Sequence, residues 1–479
     1  MTEKKLYYVM IVLIVLALLP VWVFKTPVML DYSNLLVRAH IVNNYDSVIH
    51  YQEDFNLNLL PTPNVLTDSI VIILNQIMPL TMAGKILLSI VIILFPLSIL
   101  YFLKKVNPEK QWLALFAFLL TYNHFLALGL VNYLLAFLLG FIILGYYWSH
   151  RKKLEPKNMA TLAVLNLAMF FSHLFAFGIF FLALMFLSFV EKKNLKQSLK
   201  AFLTFIPSFL LLGFFWVSAN AKSPITFYDN FLLEKAKNIA TSFISYNILI
   251  EGLILIVPAI IFLYLLLRTL KQGKSLLKNP FFLLSIFLFL LFLITPAQFG
   301  VIRPDKRIVL PLFFVSLAFI SVKINEKLKK VFQLTLIFFT VLMLVNTMLV
   351  FSEYNKRADD YIEVLNAIPE NQLLFVKSFD GLNERINIYS SLWGYYAIEK
   401  NGRRPTMFAS EFQIIGFKND VGHFIGPPDN ELTEFGCDYY DFVVVGGFNE
   451  EYLNKINPCY EIVLEKDNIF LLKNKRLIE

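Results

Sequence analysis

Long apolar runs recur from Leu6 to Phe351, far more of them than a water-soluble fold can bury. In a bilayer each run must satisfy its own backbone hydrogen bonds, so the runs read as helices. Spans are expected near 6–24, 81–103, 112–122, 131–149, 159–172, 174–190, 201–219, 251–270, 280–295, 307–322 and 331–351. That makes about eleven. Composition agrees: 57% of residues are hydrophobic and the mean hydropathy is +0.63. The expected fold is a polytopic α-helical membrane protein with a small C-terminal α/β extracytoplasmic domain. Residues 1–351 form the multi-span part, with a first loop at 25–80, and 352–479 form the soluble α/β part.

Two of the apolar stretches, 112–149 and 159–190, are too long for one span and short for two. Polar residues interrupt their middles: Tyr122, Asn123, His124 and Asn132 in the first, Ser172 and His173 in the second. Each is expected to be a hairpin of short helices, with one long tilted helix as the alternative. The piece 69–80, interrupted by Asn75 and Gln76, reads as an interfacial or partly inserted helix.

Lysine and arginine fix the expected orientation. They gather at Lys4/Lys5, Lys104/Lys105/Lys110, Arg151/Lys152/Lys153/Lys157, Lys192/Lys193/Lys196/Lys200, Arg268/Lys271/Lys274/Lys278 and Lys323/Lys327/Lys329/Lys330. The loops between are sparser in both, so these clusters are cytoplasmic. The chain is then a multi-pass protein of the cytoplasmic (plasma) membrane, with its N-terminus inside and its C-terminal domain outside. The net charge of +8 follows from those loops and implies membrane lipids, not nucleic acid, as partners.

The tail opens with a helix near Asp359–Ile368, closed by Pro369. Strands are expected at Leu373–Lys377, Tyr440–Val445, Tyr460–Glu465 and Ile469–Lys473, the last two joined by a turn at Lys466-Asp467-Asn468. Helices near Ile388–Lys400 and Glu450–Ile456 alternate with them, which is a small α/β pattern. The chain has two cysteines, Cys437 and Cys459, each just before a strand. If those strands are parallel neighbours the sulfurs start at similar heights and can bond; two unpaired thiols are the alternative. Neither cysteine has metal-ligand spacing.

The stretch that carries chemistry follows the first span. Asp31 stands where a helix N-cap would, and a helix over 32–45 puts Asn34 and Arg38 on its face. Glu53, Asp54 and Asp68 follow, with Pro61 and Pro63 between. The plain account is a capped juxtamembrane helix with solvated charges; the sharper one is a loop whose carboxylate acts on a lipid-borne substrate. The same face carries His124 and His173 at the two hairpin turns, and Arg303 and Arg307 at the start of a late span. The histidines serve as well for turn residues, and the arginines as head-group anchors. In the functional account the arginines clamp a lipid phosphate, which guanidinium grips bidentately. No Ser-His-Asp order, phosphate loop or HExxH motif is present.

Asp31 within Leu30-Asp31-Tyr32-Ser33-Asn34, many spans and a terminal α/β domain together resemble the C-type (GT-C) integral-membrane glycosyltransferase superfamily. The resemblance implies transfer of a sugar from a polyprenyl-phosphate-type lipid donor to a lipid, glycan or protein acceptor at the outer face. It implies Asp31 as the base of one inverting step, with Arg38 and Arg303 or Arg307 on the departing phosphate. Many members carry a second acidic motif where this chain has Tyr122-Asn123-His124. Glu53, Asp54 or Asp68 stands in for it, with a divalent metal, or the site works without one. Leu392-Trp393-Gly394-Tyr395-Tyr396 departs from the WWDYG of oligosaccharyltransferases. A polysaccharide polymerase or ligase is the alternative enzyme, and a non-catalytic membrane subunit or transporter is the non-enzymatic one.

Overall fold

The computed structural model describes residues 3–58, 62–191, 195–218, 225–299, 303–380, 386–403, 409–410, 412–418 and 440–477. The first apolar run is helix α1 (Glu3–Val23). The first loop holds α2 (Tyr32–Asn43), α3 (Ile49–Asp54), the short strand β1 (Phe55–Leu57) and α4 (Leu66–Asn75). Next comes α5 (Leu80–Val106). The expected 112–122 span is instead a 3-10 turn, Pro108–Ala114, followed by the short α6 (Leu115–Leu119). Both stretches with polar middles break as expected. The first turns through α7 (His124–Ala127) into α8 (Val131–His150). The second breaks at His173, between α9 (Pro156–Ser172) and α10 (Leu174–Val190).

The rest of the helical part comprises α11 (Leu195–Leu203), α12 (Ile206–Ser218), α13 (Phe231–Thr241), α14 (Ile248–Leu270), α15 (Pro280–Ile294), α16 (Lys306–Phe319) and α17 (Glu326–Asn366). Strand β2 (Ile225–Thr226) pairs antiparallel with β3 (Gln298–Phe299). Among the described residues five helices are long and apolar enough to cross a membrane, or six if α11 and α12, bent by 48°, form one span. The other expected spans are shorter. A helix of 14 residues such as α16 reaches about 21 Å at 1.5 Å per residue, less than a bilayer core of about 30 Å.

Helix α17 corrects one expectation. The span at 331–351 and the helix at 359–368 are a single helix of 41 residues, about 60 Å long at the α-helical rise. No glycine or proline interrupts it, so nothing forces a break. It carries the chain from the apolar bundle directly under the tail's sheet. There Arg357 and Tyr361 reach Asp380 at 2.8 Å each, and Gly446 leaves the Tyr361 hydroxyl its room.

The tail holds β4 (Leu374–Ser378), α18 (Trp393–Lys400), β5 (Ile415–Phe417), β6 (Phe442–Gly446), α19 (Glu450–Ile456), β7 (Tyr460–Lys466) and β8 (Ile469–Asn474). The sheet order is β4-β6-β8-β7, with β4 parallel to β6 and the other pairs antiparallel. The β7–β8 turn has Asp467 and Asn468 both at positive φ, the geometry of a tight hairpin turn. The expected neighbours β6 and β7 have β8 between them, because that two-residue turn forces β8 beside β7. Cys437 lies outside the described residues; among these no cysteine is free.

Alternation along the strands divides the core. Leu374, Val376, Phe442, Val444, Ile469 and Leu471 join the large core that runs on into the helices. Phe375, Val443, Val445, Phe470 and Leu472 form a second, smaller core with Tyr440, Ile456 and Tyr460. The two faces follow from the period of two in a strand. First loop and tail are also stitched together. Strand β1 pairs antiparallel with β5, Phe55 opposite Phe417. Gly394 of α18 sits where a Cβ would be 2.6 Å from Cβ of Ser33 on α2.

Candidate active site at the start of the first loop

The chain leaves α1 through a segment pinned at nearly every residue. Lys85 donates to the Phe24 carbonyl at 2.7 Å. The Asn355 side chain accepts from Thr26 N–H at 2.8 Å and donates to its carbonyl at 2.9 Å. The Tyr246 hydroxyl donates to the Val28 carbonyl at 2.7 Å. Leu30 and Asp31 donate their N–H groups to the carbonyls of Ala127 and Leu128, each at 3.0 Å. That contact needs a glycine next in the turn. Gly129 has φ +75°, and a Cβ there would lie 2.6 Å from the Tyr32 nitrogen and 2.7 Å from that of Asp31.

Asp31 therefore has a fixed backbone. It stands at the N-cap of α2, but its side chain makes no capping bond; its φ of −93° and ψ of 5° are not the extended geometry a cap needs. The expectation of an ordinary capping aspartate is corrected accordingly. Oδ1 accepts instead from Asn34 Nδ2 at 3.3 Å, one turn along. The residue is partly exposed within an otherwise buried helix start. Burial pushes its pKa up to about 6, opposed by Arg38, by the Asn34 hydrogen bond and by Arg307.

Arg38, one further turn along α2, pairs through Nε with Asp68 Oδ1 at 2.6 Å, and both side chains are buried. Asp68 lies in the first turn of α4. Arg307 arrives from the start of α16, and Nη1 donates to His173 Nε2 at 2.9 Å. Its guanidinium lies 5.5 Å from the centre of the Tyr133 ring, and the Tyr133 hydroxyl donates to the Arg307 carbonyl at 2.6 Å. His173 also faces the Ala176 N–H through Nδ1 at 3.3 Å. A guanidinium can only donate, so Nε2 accepts and the ring is not the doubly protonated cation.

Asp31, Asn34, Arg38, Asp68, His173 and Arg307 thus come to one place. Three other candidates, Asp54, Glu53 and Arg303, do not. Asp54 is held by Arg403 of the tail in a two-point contact, Nε to Oδ2 at 3.0 Å and Nη2 to Oδ1 at 2.8 Å. Glu53, beside it, is exposed. His124 begins α7, its ring against Phe125, in the turn whose Ala127 and Leu128 carbonyls accept from Leu30 and Asp31. Arg303 is exposed in the loop ahead of α16.

Among the described residues this cluster does not make a divalent-metal site. Asp68, the other carboxylate of the cluster, is taken by the Arg38 guanidinium. Among the described residues no three His, Cys, Asp or Glu are grouped to hold an ion.

Several contributors were invisible to the motif reading. Tyr133 and Gly129 carry no motif, though a glycine one turn after a polar break is a usable sign of close backbone approach. Lys85 was legible as a lone charge in the apolar run 80–103.

An apolar groove of about 380 Å³ adjoins the cluster, lined by Leu174, Phe177, Phe209, Trp216, Leu291 and Ile308 among others. Leu174 follows His173 and Ile308 follows Arg307 in the chain, so the groove is lined by the neighbours of those two residues.

No protein-family model and no curated protein matches the sequence. Solved structures do. The chain is similar to ArnT from Cupriavidus metallidurans bound to undecaprenyl phosphate, with a TM-score of 0.58 and 9% identity over 98% of each chain. It is similar to the same protein in the apo state, with a TM-score of 0.55 and 9% identity over 96% of this chain and 97% of that one. At such identity the likeness is one of fold, and it runs from the first helix through the tail.

Proposed function

We propose that the chain is a C-type membrane glycosyltransferase that takes a sugar from a polyprenyl-phosphate donor. The observation that carries the reading is the Asp31 carboxylate, its pKa pushed up to about 6, within electrostatic reach of Arg38 and Arg307. A base of that strength, two guanidinium groups and an apolar groove suit a substrate with a phosphate head and a prenyl tail. The fold supports it, since the ArnT structure of the same architecture holds undecaprenyl phosphate.

In the proposed step Asp31 removes the proton of an acceptor hydroxyl. The oxygen attacks the anomeric carbon from the face opposite the lipid, the bond from that carbon to the phosphate oxygen breaks, and its electron pair leaves with the phosphate. Arg307 receives the growing charge, with His173 and Tyr133 fixing its direction. Arg38, neutralised in part by Asp68, keeps the site positive without gripping the lipid so tightly that product stays. The groove takes the first prenyl units. Exposed Arg303 and tail-bound Asp54 have no part in the step.

In this reading the shorter apolar helices and the broken 108–119 segment complete about eleven crossings. The first loop and the 352–479 domain lie outside, and the N-terminus lies inside the cytoplasmic membrane. The test uses the purified full-length protein in lipid nanodiscs with a sugar-charged polyprenyl phosphate and a panel of lipid and glycan acceptors. Release of free polyprenyl phosphate is expected from the wild type. Asp31→Asn should cut it by roughly 10²–10⁴-fold, the scale of a lost general base. Full turnover in that variant would remove Asp31 from the mechanism.

A further inference from the structure

The residue just ahead of the Lys306-Arg307 pair is tied to a helix of a different loop. Asp305 is fully buried and N-caps α16 through Oδ1, which accepts from Lys306 N–H at 2.8 Å. Its other oxygen, Oδ2, accepts from the Tyr228 hydroxyl at 3.1 Å, Lys235 Nζ at 3.2 Å and Asn238 Nδ2 at 2.8 Å. Asn238 Nδ2 also meets the Tyr228 hydroxyl at 2.7 Å. Lys235 is 2% exposed and spends its remaining donors on the carbonyls of Phe292 at 2.9 Å and Thr295 at 2.7 Å. Thr295 lines the apolar groove. One lysine therefore joins α13, the end of α15 and the start of α16.

A buried, fully bonded ion pair is often no more stabilising than apolar residues of the same shape. What such a network does supply is one geometry. Here the geometry belongs to Arg307, two residues after Asp305 and in the first turn of α16. A rotation or slide of the cap would carry its guanidinium away from His173. The exposed start of α13 is apolar, with Leu232 76% and Leu233 55% exposed and Phe227 70% exposed just before it, and the Glu234–Lys237 pair follows at its polar edge. Helix α14 likewise exposes Leu249 and Leu253. An amphipathic helix such as α13 settles at the membrane boundary, so its depth is set by the bilayer.

We propose that Tyr228, Lys235 and Asn238 are positioning residues that act through Asp305. They set the depth at which Arg307 meets a lipid phosphate and fix the rim of the groove at Thr295. The proposal rests on the reading of Arg307 as the phosphate clamp. It adds that the clamp takes its height from a helix seated in the lipid surface.

The test measures binding of bare polyprenyl phosphate to the full-length protein in nanodiscs, a readout that needs no turnover. The main variant is the double substitution Lys235→Met with Asp305→Asn, which removes both charges and leaves neither one buried alone. It is combined with Arg307→Ala in a double-mutant cycle. The expected result is a loss of about tenfold in affinity for the double variant and no further loss once Arg307 is gone, as coupling through a shared group requires. Should the double variant not fold, Tyr228→Phe takes its place in the cycle, with an expected loss of about threefold for one hydrogen bond. Unchanged affinity, or an equal loss with and without Arg307, would overturn the positioning role while leaving the clamp intact. A wild type that does not bind, or an Arg307→Ala variant that binds as well, would overturn the clamp and the positioning role together.

Discussion

At the scale of single residues the site is an exercise in contrary pulls on one carboxylate. Burial alone would keep Asp31 protonated; Arg38, Asn34 and Arg307 pull the other way, and the balance falls at about 6 against an ordinary 3.8. A base works only when ionised. Because the pKa is raised, the ionised fraction is lost as pH falls through about 6, earlier than for an exposed aspartate. The acid limb of kcat/KM is therefore expected near pH 6. A limb near pH 4, measured with the same donor and acceptor, would mean that another group does the work. Asp54 plays a different part: its two-point contact with Arg403 serves the joint between loop and tail.

At the scale of elements the longest helix organises the site without touching the chemistry. Helix α17 brings Asn355 against the chain between α1 and α2, where one amide satisfies both the N–H and the carbonyl of Thr26. Both backbone groups are buried, so removing the amide leaves two polar groups unpaired. Asn355→Ala is expected to cost about 2–4 kcal/mol, from about 1–3 for each orphaned group less some recovery by water. A thermal melt in detergent, read by tryptophan fluorescence, checks it. An unchanged midpoint would show that Thr26 finds other partners and that α17 does not brace the loop.

At the scale of the whole molecule, one core runs from α1 to the inner face of the tail sheet, and β1 with β5 closes the gap between first loop and tail. Loop and tail must then lie on one side of the membrane. Single-cysteine labelling, in a background lacking Cys437 and Cys459, is expected to reach Asn56 and Glu451 from the outside and Lys153 and Lys274 from the cytoplasm. Tail labelling from the cytoplasm alone would reverse the orientation and move the proposed reaction to the other face.

What the sequence determined by itself is whatever depends on neighbours along the chain. Apolar runs specified the helices, because a backbone in lipid has no other partner than itself. Short apolar runs rich in Val, Ile, Leu and Phe specified the tail strands, and Asp467-Asn468 their turn. Asp31 stood out because an acid just past a membrane helix needs a reason. The 112–122 stretch is broken into a 3-10 turn and a short helix, a division that apolar content alone does not foretell. Only the tertiary structure decided which arginine and which acid join Asp31. Arg307 and Arg303 are four residues apart, yet one is buried against His173 and the other faces out. Asp68 meets Arg38 across 30 residues, while Asp54 meets Arg403 across 349. Such pairings leave no periodic trace, because they are fixed by where helices pack and not by any spacing along one of them.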